Sequence, residues 1–291
     1  GLTPLISAEW NWRVQLLIPA ILSLIATALA WRYFPESPRW LESRGRYQEA
    51  EKVMRSIEEG VIRQTGKPLP PVVIADDGKA PQAVPYSALL TGVLLKRVIL
   101  GSCVLIAMNV VQYTLINWLP TIFMTQGINL KDSIVLNTMS MFGAPFGIFI
   151  AMLVMDKIPR KTMGVGLLIL IAVLGYIYSL QTSMLLITLI GFFLITFVYM
   201  YVCYASAVYV PEIWPTEAKL RGSGLANAVG RISGIAAPYA VAVLLSSYGV
   251  TGVFILLGAV SIVVAIAIAT IGIETKGVSV ESLSIDAVAN K

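Results

Sequence analysis

Seven apolar runs, each about the length of one bilayer crossing, decide most of what this chain can become. They cover residues 13–33, 97–123, 134–155, 162–180, 184–209, 222–246 and 250–272. A helix that crosses the hydrocarbon layer needs about 20 mainly apolar residues. Inside that layer every backbone N–H and C=O must be satisfied within the segment, so such runs fold as helices. The expected fold is therefore all-α, a polytopic membrane helix bundle of seven spans. Composition supports the same reading. Only 13% of the residues are charged, against about 25% in a soluble domain, and the mean hydropathy is +0.80. A chain this apolar cannot hide its side chains in one water-soluble core.

What the sequence lacks narrows the function. It contains no histidine, which removes histidine metal sites, triads and proton relays. Cys103 and Cys203 both lie inside apolar runs and read as membrane-buried thiols rather than a disulfide. No GxxxxGK[ST] loop is present, which argues against ATP drive. No paired carboxylates or nucleophile–base set marks an enzyme. Position 1 is Gly, and no signal-peptide pattern follows it. The chain therefore reads as a piece of a longer protein.

Positive charge sets the expected orientation. The stretch 35–96 carries Arg39, Arg44, Arg46, Lys52, Arg55, Arg63, Lys67, Lys79 and Lys96. The loop 156–161 adds Lys157, Arg160 and Lys161, the loop 210–221 adds Lys219 and Arg221, and the tail adds Lys276 and Lys291. With alternating spans all of these fall on one side, against Lys131 and Arg13 on the other. The long loop and the C-terminus are thus expected in the cytoplasm, and the net charge of +5 reads as topology, not as a nucleic-acid footprint. Within the loop, residues 39–59 suit one or two short amphipathic helices, with Leu41, Ala50, Val53, Met54 and Ile57 as the apolar positions. Residues 67–85 are proline-rich and read as a loose linker.

Charged phrases recur where the runs end on that side. They are FPESPRW at 34–40, DKIPRK at 156–161, PEIWPTEAKLRG at 211–222 and ETKG at 274–277. Pro35 and Pro38 stop the first helix and stiffen its exit. One such phrase is an ordinary helix terminus. Several on one face can pair across a bundle and latch it shut in one conformation.

In order and spacing these phrases, with GRYQEA at 45–50, resemble the major facilitator superfamily, in its sugar-porter and organic-ion or aromatic-acid branches. The resemblance covers nearly the whole chain. It implies that 13–33 corresponds to the sixth helix of that fold and 97–272 to the seventh through twelfth, with the first five absent. The implied organisation is 1–34, last helix of the N-terminal half; 35–96, cytoplasmic loop; 97–273, C-terminal six-helix half; 274–291, cytoplasmic tail. The implied activity is secondary transport by alternating access, proton-coupled in the intact protein, in a bacterial inner membrane, with no cofactor. The partners would be a small-molecule substrate, the lipid bilayer and the missing helices. Carried over residue by residue, the resemblance makes Glu36, Arg39, Asp156, Arg160, Lys161, Glu212, Lys219, Arg221 and Glu274 a cytoplasmic gate. Two departures stand out. Pro159 replaces the usual glycine, and the spacing leaves open whether Lys219 or Arg221 pairs with Glu212. The INWLPTIF phrase at 116–123 is closer to aromatic-acid and organic-ion carriers than to the glutamine-rich signature of sugar porters.

Candidate substrate residues come from the spans. Asn109, Gln112, Tyr113 and Asn117 fall on one side of a helix at about 100° per residue. The arc suits either interhelical hydrogen bonding or a cavity wall. Arg231 lies deep in its run, where a guanidinium is costly and marks a functional site; Asn227, Gly230, Gly234 and Pro238 share its face. No Asp or Glu lies inside the seven runs, so Arg231 pairs either with a carboxylate of the missing half or with a substrate carboxylate, which its planar fork suits. Tyr199 shares an arc with Cys203 and Ser206. It and Tyr201, Tyr204 and Tyr209 serve either packing or stacking on an aromatic substrate. The expectation is a carrier of a small organic anion such as benzoate or nicotinate. A sugar or drug carrier is the alternative within the class. A seven-helix receptor is the alternative outside it, although the last run has no lysine to carry retinal.

Overall fold

A computed structural model describes residues 8–66, 68, 85–125, 127–215 and 218–277. Most of the proline-rich stretch 67–85 and the tail beyond 277 lie outside the described residues. The described chain is helical throughout, with no strand among those residues. It divides into two compact units, 1–78 and 79–291.

The first unit contains α1 (Ala8–Tyr33), α2 (Pro38–Ser43) and α3 (Tyr47–Thr65). The apolar run ends where the charged phrase begins, at Tyr33. Pro38, expected as a stop, instead opens α2 as its first residue, where its missing N–H costs nothing. The amphipathic stretch is two helices, because Gly45 turns between them at φ 74°. Leu41 of α2 and Ala50 of α3 are buried, whereas Met54, Ile57 and Val61 are exposed.

The second unit is built around α5 (Gly92–Thr125), preceded by the short α4 (Tyr86–Leu89). Its other members are α6 (Leu130–Met141), α7 (Gly143–Val154), α8 (Arg160–Ser179), α9 (Met184–Val202), α10 (Val210–Glu212) and α11 (Lys219–Ile271). Among the described residues six helical stretches are long and apolar enough to span a membrane, α6 with α7 forming one of them and α9 with α10 another. The last, at 53 residues, would be about 80 Å long if straight, far more than a bilayer. It is two helices joined at Gly249, whose φ of 66° and ψ of −161° leave helical space at a residue without a Cβ to clash. The expectation of seven spans counts those two arms separately. Three helix starts move by four residues or more, the first being α1, which begins at Ala8 rather than 13. α5 starts at Gly92 rather than 97. α6 starts at Leu130 rather than 134, because Asn129 caps it, accepting the N–H of Asp132 at 2.9 Å and donating to the Asp132 carboxylate at 2.8 Å.

Close helix contacts hold this unit. α7 lies directly on the backbone of α9. A Cβ on Gly147 would stand 2.2 Å from the carbonyl oxygen of Thr196, and one on Gly143 would stand 2.3 Å from that of Phe192. Small residues four apart are how helices approach in lipid, where no hydrophobic drive exists between them. Gly147→Ala should therefore force α7 off α9, with a several-fold fall in folded protein at the membrane. Fluorescence-detected size exclusion reads this directly, and a normal monodisperse peak would contradict it.

Below Val202, α9 passes into a π-helical segment, Cys203–Tyr209, before α10. The rings of Tyr204 and Tyr209 stack there, 5.0 Å apart at 15°. Because π-helical bonding shifts the register, the expected arc of Tyr199, Cys203 and Ser206 is broken: Ser206 is exposed, while Tyr199 and Cys203 are half-buried. Tyr201, Tyr204 and Tyr209 are buried in the core, and the Tyr201 hydroxyl donates to the Val104 carbonyl at 3.1 Å. For these three, packing is the observed role.

Candidate functional site

Two constellations gather the charged and polar residues of the second unit, one in mid-bundle and one at an end.

The mid-bundle site lies between α5 and the first arm of α11. The two run side by side in the same direction. Gly101 faces Ala226, Leu105 and Asn109 meet Gly230, and the ring of Tyr113 meets Gly234. The glycines permit this. A Cβ on Gly230 would stand 2.8 Å from Leu105 Cβ, and one on Gly234 would stand 2.9 Å from Tyr113 Cδ2. With the ring laid against Gly234, the Tyr113 hydroxyl reaches the guanidinium of Arg231, which donates to it through Nη1 at 2.7 Å. Tyr113, Asn117, Arg231, Gly234 and Ile235 line a cleft of about 360 Å³. Arg231 is twelve residues past Lys219, about 18 Å along the helix axis. Its side chain is exposed in this chain, and among the described residues no carboxylate forms a salt bridge with it.

The other residues of the expected arc take different places. Asn109 is buried and donates to the Leu105 carbonyl of its own helix at 2.7 Å, so it packs beneath the cleft. Gln112 is half-buried on α5. Asn227, one turn before Arg231, is exposed and donates to the Ser223 carbonyl at 2.9 Å. Tyr199 is half-buried on α9. Ile235 was not anticipated; an apolar residue one turn past Arg231 carries no distinguishing sequence signal.

At the charged end, Arg160 is the hub. Its side chain is 7% exposed. Nε and Nη2 donate to the two carboxylate oxygens of Glu212, each at 3.0 Å, a fork-to-carboxylate pair. Nη1 donates to the Met155 carbonyl, and Nη2 also reaches Asp156 at 3.3 Å. The Thr275 hydroxyl donates to Glu212 as well. Glu274 caps the start of α8, accepting the backbone N–H groups of Arg160 at 2.7 Å and Lys161 at 3.1 Å, and it accepts from Lys276 N–H at 3.1 Å. Tyr209 clips the same segment, its hydroxyl donating to the Ile273 carbonyl at 3.1 Å and accepting the Ile273 N–H at 3.0 Å. Lys276 Nζ donates to the Lys157 carbonyl at 2.7 Å.

This corrects one expectation. Among the described residues the cation paired with Glu212 is Arg160, neither Lys219 nor Arg221. After Glu212 the chain turns inward through Ile213, Trp214 and Ala218, all fully buried. Lys219 then begins α11 exposed, and Arg221 stands over the ring of Tyr86 at 5.2 Å. Glu36 and Arg39 belong to the first unit, Glu36 exposed between α1 and α2 and Arg39 within α2. Thr275 and Ile273 join the network unannounced; their signal was adjacency to Glu274.

Burial pushes the Glu274 carboxyl up, but three backbone N–H donors and the charge of Arg160 outweigh it and hold the group below the usual carboxylate range. A depressed carboxylate adds stability above its unfolded value and loses it as pH falls through the lower folded value. The melting difference between wild type and Glu274→Gln should thus stay constant from about pH 8 to 5 and shrink only below about pH 4. A difference that fades already between pH 7 and 5 would contradict this.

The family model described as "Sugar (and other) transporter" matches residues 2–287. The chain belongs to this family, within the major facilitator superfamily. It is 45% identical over 279 residues to the inner membrane metabolite transport protein YdjE of Escherichia coli (strain K12), covering 95% of this chain and 62% of that protein. It is 26% identical to the niacin transporter NiaP of Acinetobacter baylyi, covering 95% of this chain and 62% of that protein. In fold it resembles a crystal structure of XylE carrying two introduced tryptophans, with a TM-score of 0.70 at 18% identity over 97% of this chain and 61% of that one. The chain thus spans about three-fifths of the length of these relatives. The matched family is one of membrane transporters rather than enzymes, and the curated relatives named here are described as transport proteins.

Proposed function

We propose that this chain forms part of a secondary transporter for a small organic anion, an aromatic or heterocyclic carboxylate of the benzoate or nicotinate kind. The observation that carries the proposal is Arg231, a permanent cation deep in a span, bonded among the described residues to a neutral phenol and facing a cleft. A guanidinium in that setting calls for an anion. A carboxylate fits its remaining donors in a planar pair, while Tyr113 and Asn117 stand beside it for the rest of the ligand. Asn109 supports the cleft from beneath, and Asn227 stands one turn before Arg231 on the same helix. Similarity to a relative named for niacin, a pyridine carboxylic acid, agrees with this reading.

The full-length carrier supplies the remaining helices and completes the cavity. The charged end is cytoplasmic, by the distribution of Lys and Arg along the sequence. There Asp156, Arg160, Lys161, Glu212 and Glu274 act as a latch that holds one conformation and opens in the other, the alternation that moves a central site from one side to the other. Transport is proton-coupled, with the titrating carboxylate in the remaining helices.

The test is uptake of labelled benzoate, nicotinate, glucose and tetraethylammonium by cells producing the full-length transporter, with and without an uncoupler. Saturable, uncoupler-sensitive uptake of the two acids is expected. Uptake of glucose or the cation instead of the acids would sink the anion reading.

A further inference from the structure

Of the side chains lining the cleft, Arg231 only donates, while Tyr113 and Asn117 can both donate and accept. The backbone supplies a further acceptor. Pro238 lies within α11, and its nitrogen carries no hydrogen, so the helical rung that would end on the Gly234 carbonyl is missing. Gly234 itself lines the cleft with Arg231, Tyr113 and Asn117. Helix carbonyls point toward the C-terminal end, so this one opens one turn beyond Arg231. The cleft extends the same way, since Ile235 follows Arg231 on α11 and Asn117 follows Tyr113 on the parallel α5. Nearby side chains are committed elsewhere: the Ser233 hydroxyl donates to Gly230 at 2.6 Å and the Asn109 amide to Leu105. Among the described residues no side-chain hydrogen bond ends on Gly234. A carbonyl freed by proline inside a membrane finds a donor on a neighbouring helix, a water or a ligand.

We infer that the Gly234 carbonyl, released by Pro238, is an acceptor subsite of this cleft, and that the substrate is a carboxylic acid bearing a hydrogen-bond donor, a hydroxyl or amino group. The inference rests on the reading that the carboxylate sits on Arg231. Gly234 follows Arg231 by three positions, a rise of about 4.5 Å between their Cα atoms, and both line one cleft. An acid held on the guanidinium therefore has its ring in the cleft into which this carbonyl opens. An acid without such a donor forgoes one hydrogen bond and binds more weakly, while its carboxylate still holds it on Arg231.

The probes are benzoate, 3- and 4-hydroxybenzoate and the matching methoxybenzoates, as competitors and as labelled substrates of the full-length transporter. In wild type the better hydroxy acid should outcompete its methoxy ether about tenfold, the value of one hydrogen bond. Pro238→Ala and Pro238→Gly each restore an N–H that can close the rung onto Gly234. In whichever of them reaches the surface at normal level, the preference should vanish while benzoate uptake persists. Pro120→Ala is the control, because it restores a rung in α5 onto Ile116, outside the cleft lining, and should leave the preference intact. Equal affinity for hydroxy and methoxy acids in wild type would overturn the inference, and so would a preference unchanged in the Pro238 variants. These failures are separable from failure of the anion reading. If benzoate uptake depends on Arg231 but the two ethers and alcohols compete alike, only the acceptor subsite is lost. If Arg231→Gln transports benzoate normally, the anchor itself is wrong.

Discussion

Arg231→Gln should lower subsaturating uptake of labelled benzoate about 100-fold at equal surface expression. Hydrogen bonds to a charged group contribute about 1.5–3 kcal/mol each, and 1.4 kcal/mol is about tenfold in affinity, so losing the guanidinium removes about two decades. Glutamine keeps a donor and most of the length, so the loss reports charge and the forked geometry. Arg231→Lys separates those two. It retains a cation but not a planar pair of donors, and it should recover part of the lost uptake, through KM rather than maximal rate. The bond from Arg231 to Tyr113 at 2.7 Å makes a further distinction possible. Tyr113→Phe leaves the charge in place but releases the guanidinium from its position, so it should raise KM by a smaller factor than Arg231→Gln does. Undiminished benzoate uptake by the Gln variant would remove Arg231 from the site.

The second large effect is expected at the charged end. Arg160 has a side chain 7% exposed and Glu212 one 34% exposed, so the two partners are not equivalent. Glu212→Gln strands a buried guanidinium with the Met155 carbonyl and a largely exposed Asp156. Breaking a fully buried pair costs about 3–5 kcal/mol. With Glu212 a third exposed, about 2 kcal/mol is the expected loss, or roughly 4–8 °C in melting temperature for a chain of this size. Arg160→Ala leaves a carboxylate that water can reach, and Glu274 still holds the backbone at the start of α8 through N–H groups that no side-chain change removes. The double variant should therefore lose less than the sum of the two singles, with a coupling of about 1–2 kcal/mol. Thermal melts of the four proteins in one detergent read this directly. Additive losses would show that the pair, though present, carries no stability. If the latch role proposed above is right, Glu212→Gln should also raise the reactivity of an engineered cysteine at that end, by shifting the carrier toward the state open there.

The sequence determined the solvent, the secondary structure and the chemistry at hand. Long apolar runs admit only helices in lipid, and the run lengths placed those helices within a few residues. At α6 the start moved because Asn129 caps it. The charged phrases were legible because charge is excluded from the spans, and Arg231 was legible because it breaks that exclusion. Partnerships were another matter. Helical periodicity tells which residues of one helix share a face, but not which neighbour that face meets. Glu212 went to Arg160, 52 residues away, because the buried turn at Ile213 and Trp214 carries Lys219 and Arg221 elsewhere. The π-helical segment at Cys203–Tyr209 undid the arc drawn through Tyr199 and Ser206, since a change of helical register leaves no mark in composition. The cleft itself needed α5 and α11 to approach at Gly230 and Gly234. That approach is decided jointly by a ring on one helix and the absence of a side chain on the other, and only the packed tertiary structure brings the two together.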